Sequence, residues 1–158
     1  MTIMEYCERL KSLGACQQAI DWSADQSDPQ TAWERCGRAD WLLWLAAWHC
    51  QPGDALHRAI VSAICGVART LLRLVPEGED RPRIAIETAE VWAHGEASIE
   101  DVLASAVSAC AAAAHAAAAS AHVAAAYAVT DSAATSAAYA DIVRAHIPKN
   151  PAMSKLWP

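Results

Sequence analysis

Apolar residues recur along this chain at intervals of three and four, and no segment shows the strict alternation of a strand. Ile3 to Leu13 predicts a first helix, with Gly14 as its C-terminal cap. Cys16 to Trp22 predicts a second, and the polar run Ser23 to Gln30 a loop. Asp28 before Pro29 is the signature of a third helix start, running to Cys36 and ended by Gly37. Asp40 is a candidate cap for a helix from Trp41 to Cys50. There Trp41, Trp44, Leu45 and Trp48 fall on one face, while Leu42 and Leu43 make the other sides apolar too. A helix apolar nearly all round belongs at the centre of a core, so the tryptophans are read as packing rather than as a ligand cage.

After the turn Gln51-Pro52-Gly53, Asp54 caps a long helix to about Val75. Leu56, Ile60, Ile64, Val67, Leu71 and Leu74 form its expected core stripe, and Arg58, Ser62, Arg69 and Arg73 an opposite basic stripe. The loop Pro76 to Arg81 leads to a helix from Pro82 to Ala93 or His94, closed by Gly95. Its expected buried face is Ile84, Ala85, Thr88, Val91 and Trp92, and its polar face Arg83, Glu87, Glu90 and His94. Ser98, with Asp101 three residues on, caps a helix that enters the Ala-rich stretch 104–140. A break near Thr130-Asp131-Ser132 starts a final helix that ends at Ile147, because Pro148 and Pro151 forbid continuation. The prediction is an all-α fold: an irregular bundle of seven to eight helices with an Ala-rich C-terminal helical pair. Residues 1–147 form one domain and 148–158 a C-terminal tail.

Composition sharpens this picture. Ala is the best helix former but buries little area, so core volume must come from Leu, Ile, Val and the 7 Trp; there is no Phe. The Ala-rich region carries few charges and need not be disordered, yet its helices require partners, within the chain or across a homodimer. A net charge of −6 argues against nucleic acid as a ligand and permits a basic protein partner. Cys7, Cys16, Cys36, Cys50, Cys65 and Cys110 show no CxxC spacing, and no signal peptide is apparent. They read as reduced thiols in a cytoplasmic protein. The stretch Cys110 to Val129 has the length of a membrane span but is mostly Ala interrupted by His115, Ser120 and His122, so no membrane partner is expected.

Catalytic and metal motifs are missing at the level of sequence. No GxGxxG, GxxxxGK[ST], HExxH or GxSxG occurs. Glu87, Glu90 and His94 share a helical face, and His115 and His122 lie two turns apart with Cys110 nearby. Each set is read as a solvated or seam position rather than a metal site, because a second ligand pair is lacking. Cys50 follows His49, but adjacent helical residues do not face each other. No enzymatic activity and no cofactor are expected. The candidate contact residues are Glu77, Glu79, Asp80 and Arg81 in the charged loop, with Arg83 beside them, and Trp157 as an aromatic anchor near the C-terminus.

The run Leu74-Val75-Pro76-Glu77-Gly78-Glu79-Asp80-Arg81-Pro82-Arg83, followed by Ala85-Ile86-Glu87 and by Trp92 to Ser98, is similar to a family of helical bacterial and phage immunity proteins. Arg38-Ala39-Asp40-Trp41-Leu42-Leu43-Trp44 and the Ala-rich half extend the resemblance to roughly Ala15 to Ile147. His94 stands where a basic residue is expected in relatives. The resemblance implies a small cytoplasmic protein that neutralises a toxin by binding and occluding it. Three alternatives remain open: a phage counter-defence protein blocking a host immune complex, a metal-binding bundle, and a self-assembling one.

Overall fold

The start of each helix follows from a side chain able to satisfy its free N–H groups. In the computed structural model, residues 1–108 and 133–153 are described, with side chains from residue 136 onward in the second stretch. Thr2 and Glu5 form a reciprocal capping box at the start of α1 (Ile3–Ser12). Its end is a Schellman turn, in which Ala15 N donates to Leu10 O and Gly14 N to Lys11 O, both at 3.0 Å. Helix α2 (Gln17–Ala24) extends past the expected Trp22, so the loop before α3 (Pro29–Arg35) shrinks to four residues and Ser23 is buried.

Asp28 caps α3 through its Oδ1, which accepts from Gln30 N and Thr31 N at 2.9 Å, while Oδ2 accepts from the Thr31 hydroxyl. These bonds, led by those from Thr31, lower the Asp28 pKa from its ordinary 3.8 to about 2. The folded pKa lies below the unfolded one, so the stabilisation is present above about pH 3.8 and is lost as pH falls through about 2. Asp28→Asn keeps a good cap but removes the charge. Its thermal midpoint is expected to lie below wild type at pH 5 and to converge with it by pH 2; a constant offset across that range would refute the assignment.

Helix α4 (Ala39–Trp48) corrects two expectations. Asp40 lies inside the first turn and Arg38 is the N-cap, its guanidinium held by Asp40 rather than by the helix end. The buried face is Ala39, Leu42, Leu45 and Ala46, not the tryptophan stripe: Trp48 is 54% exposed and Trp41 and Trp44 are half-buried. The cause is α8 (Ala133–His146), which packs on α4 and brings Ala140 and Val143, both fully buried, into the core. Small residues such as Ala46 permit that approach, and the indoles are left at the rim.

Helix α5 (Ala55–Leu71), capped by Asp54 and continued by a 3₁₀ turn to Leu74, is wedged between α8 and α6 (Arg81–Ala93). By length and composition alone, Ala55–Leu74 could cross a membrane; here two helices pack against it, and few of its residues are fully buried. Ile60, Ala63 and Cys65 are its buried residues, whereas Ile64 and Leu74 of the expected stripe are each 48% exposed. The arginines of the basic stripe, Arg58, Arg69 and Arg73, are exposed as expected, and two of them reach across to α6. Arg58 sits over the Trp92 ring, 6.0 Å from its centroid, and Arg69 forms a two-pronged bridge to Glu90. That bridge and the Cys65 thiol on Ile86 O tie α6 to α5 and hold Glu90 half-buried. Arg83 and His94 are exposed and Ala85, Thr88 and Trp92 half-buried as expected, but Ile84 and Val91, expected to be buried, are exposed. Helix α6 ends at Gly95, whose φ of +86° is open to glycine without strain.

Gly66 lies at a close approach of α5 to α8: a Cβ there would lie 2.8 Å from Ile142 Cγ2, a stiff branched methyl. Alanine normally stabilises a helix interior relative to glycine by roughly 0.5–1 kcal/mol. Gly66→Ala is instead expected to destabilise by about 1–2 kcal/mol through overpacking. The same change in an Ile142→Ala background should stabilise, and urea unfolding of the four proteins tests both signs.

Ser98 and Asp101 make the expected reciprocal cap, and residues 99–108 form α7. The break at 130–132, the pairing of the Ala-rich helices, Cys110, His115, His122 and Trp157 lie outside the described residues. The described chain is all-α, eight helices in sum, and the expected end at Ile147 is close to the observed His146. The expected tail, however, begins as part of the core. Asn150 is 2% exposed, and Pro151 and Ala152 are buried in a last 3₁₀ turn (Pro151–Met153).

Candidate functional site

The expected contact loop carries an ordered set of charges. Pro82 in the first turn of α6 removes one N–H that would need a partner, and Asp80 occupies the N-cap position without capping through its side chain. Glu79 and Arg81 pair with two hydrogen bonds, and the Glu79 carboxylate also accepts from Arg81 N at 3.1 Å. The Arg81 guanidinium holds the Glu79 carboxyl at about 2, well below its ordinary value. Arg83 bridges Asp80 at 3.2 Å and Glu87 at 2.9 Å. Glu77 is exposed and forms no ion pair among the described residues. Asp80 and Arg83 are exposed, while Glu79 and Arg81 are half-buried.

The same pairing bears on the metal alternative. Glu87 is tied to Arg83, Glu90 to Arg69, and His94 Nδ1 lies 2.7 Å from Glu90 O. No group of three His, Cys, Asp or Glu with metal-binding geometry occurs among the described residues. The described cysteines, Cys7, Cys16, Cys36, Cys50 and Cys65, are free thiols.

A second site lies where sequence reasoning placed only packing. Helix α2 folds back along α1 and brings Trp22 against α4, enclosing a hollow of about 480 Å³. Tyr6, Trp22, Trp33, Cys36, Trp41 and Trp44 line it. Trp22 and Trp41 meet edge to face with ring centroids 6.2 Å apart, and Trp44 and Trp48 repeat that arrangement along α4. At the mouth Arg38 clasps Asp40 with bonds of 2.8 and 2.7 Å and sits 4.8 Å from the Trp41 centroid. The Cys36 thiol donates to Arg38 O, and burial pushes its pKa up, so it stays a thiol at neutral pH and makes a poor nucleophile. Burial also pushes Tyr6 up to about 12. The hollow therefore offers surface and shape rather than acid–base chemistry. The spacing of Trp41 and Trp44 was the visible signal, but only the approach of Trp22 to Trp41 turns it into a cavity.

A more open hollow of about 920 Å³ runs between the end of α4 and the last 3₁₀ turn, with His49, Asp54 and Lys149 on its wall. Asp54 is engaged as the α5 cap, accepting from His57 N at 2.6 Å. Burial, aided by the Arg9 charge, lowers the His49 pKa and keeps the imidazole neutral. No family model, no curated protein and no solved structure matches the chain.

Proposed function

We propose that this protein is a non-catalytic inhibitor, an immunity protein that neutralises a toxin by binding and occluding it in the cytoplasm. The reading rests on one observation: the exposed entrance to α6 holds Glu79, Asp80, Arg81, Arg83 and Glu87 in fixed pairs on a rigid helix end. Side chains already ordered lose less freedom when a partner docks, and charges of both signs set orientation and exclude mismatched partners. The chemistry of the described residues points the same way, because burial raises the pKa of the Cys36 and Cys65 thiols and the half-buried Glu90 carboxylate is paired with Arg69. The net charge of −6 favours fast association with a basic protein. The resemblance of the 74–98 segment to immunity proteins supplies the toxin as the class of partner.

The test is functional. Proteins captured by the tagged chain from cells that carry its gene are expressed singly, and one of them should arrest growth. Co-expression of this chain should relieve the arrest, and the paired reversal Glu79→Lys with Asp80→Lys should abolish relief while the variant's thermal midpoint stays near wild type. Relief by the reversed variant, or capture partners with no toxicity, would refute the reading.

A further inference from the structure

We propose that the hollow between α2 and α4 is a binding site for a small, uncharged, flat aromatic molecule, separate from the charged entrance to α6. Its volume of about 480 Å³ falls within the span of small-molecule sites. The floor is preformed: Trp33, Ala32, Leu42 and Leu45 are 1–4% exposed, and Trp33 is fixed from behind by its bond to Ile147 O. A flat ring entering the hollow meets Trp22, Trp41 and Trp44, whose half-buried rings offer edges and faces for stacked or edge-on contact.

Charge at the mouth selects for neutrality. Arg38 and Asp40 are the charged residues on the lining, and each satisfies the other. The cation position on Trp41 is already taken by Arg38, so a cationic ligand meets a resident cation. An anionic ligand must displace Asp40 from Arg38 and enter a protein of net charge −6. A neutral ring leaves the pair intact and gives up little hydration. Gln18 and Ser23 add uncharged polar groups to the lining, so one hydroxyl or carbonyl on the ligand is matched.

The experiment keeps one ring and varies only charge. The full chain is titrated calorimetrically with 2-naphthol, 2-naphthoate and 2-naphthylmethylammonium. The expected result is saturable one-to-one binding of 2-naphthol, with both ions at least about tenfold weaker. Ala19→Trp, which fills the hollow from α2, should remove 2-naphthol binding in a variant that still melts cooperatively. Trp41→Ala should weaken it at least about tenfold. Absence of saturable 2-naphthol binding would overturn the proposal, as would equal binding of either ion. Unchanged binding by a folded Ala19→Trp protein would do the same. If either variant fails to fold, the charge series on the wild-type chain remains decisive.

Discussion

Trp33→Ala is expected to destabilise this protein by about 3–5 kcal/mol, the range for removing a fully buried large aromatic. Trp33 is 1% exposed and sits in α3, the shortest helix of the core. It belongs to the same buried cluster as Tyr6 and Leu10 of α1, Leu42 and Leu45 of α4 and Val143 of α8, and its Nε1 donates to Ile147 O at 2.9 Å. Alanine would open a cavity and also leave a buried carbonyl at the end of α8 without its donor. Arg144 would be disturbed next, because its guanidinium reaches back to Cys36 O at 2.6 Å and satisfies the last turn of α3. Trp33→Phe separates the two effects: most of the volume stays and only the N–H is lost, for an expected loss of about 1–3 kcal/mol. Urea unfolding reads both. A loss under about 1 kcal/mol for the alanine variant, at unchanged m-value, would show that the site repacks and that the ring is not the keystone described here.

The parts of this fold that sequence could predict are those decided within a few residues. Gly14, Asp28-Pro29, Asp54, Gly95 and Ser98-Asp101 each punctuate a helix where expected, because a cap is a contest among neighbouring N–H groups, carbonyls and one side chain. The Arg83–Glu87 contact was legible for the same reason, being one helical turn in length. Helix rotation was not. In α4 every side is apolar, so periodicity could not choose between the Trp41 face and the Leu42–Leu45–Ala46 face; Val143 and Ala140, about a hundred residues later, made that choice. In α6 a charge on α5 pairs with Glu90 and holds it half-buried, while Ile84 and Val91, apolar by pattern, stay exposed. The aromatic hollow depends in the same way on Trp22 meeting Trp41. Its tryptophans were visible as residues and not as a site.

The C-terminal segment gives the sharpest case of a long-range decision, and with it a second large effect. Pro148 correctly predicts the end of α8, but Asn150 looks like an ordinary loop residue. In the fold it is a buried hub: Nδ2 donates to Pro29 O at 2.7 Å, Oδ1 accepts from Ala152 N at 3.0 Å, and its own N–H donates to Gln30 Oε1 at 2.9 Å. Asn150→Ala would strand a carbonyl and an N–H in the interior, at about 1–3 kcal/mol each. The expected loss is about 3 kcal/mol by urea unfolding. It should be less than additive with Trp33→Ala, since both side chains fasten this segment to the rest of the core. Asn150→Asp makes the argument specific to the donor. An aspartate keeps the acceptor for Ala152 N but faces Pro29 O with a lone pair, and burial without a countercharge raises its folded pKa above the unfolded one. A raised carboxyl pKa destabilises most when the unfolded chain would be ionised, so the deficit of Asn150→Asp relative to wild type is largest at pH 7. It should shrink as pH falls toward about 4, where the protonated carboxyl regains a donor for Pro29 O. Thermal midpoints of the two proteins between pH 7 and pH 4 measure that convergence. A deficit independent of pH would mean that residue 150 stays in contact with water and that the last turn is not part of the core.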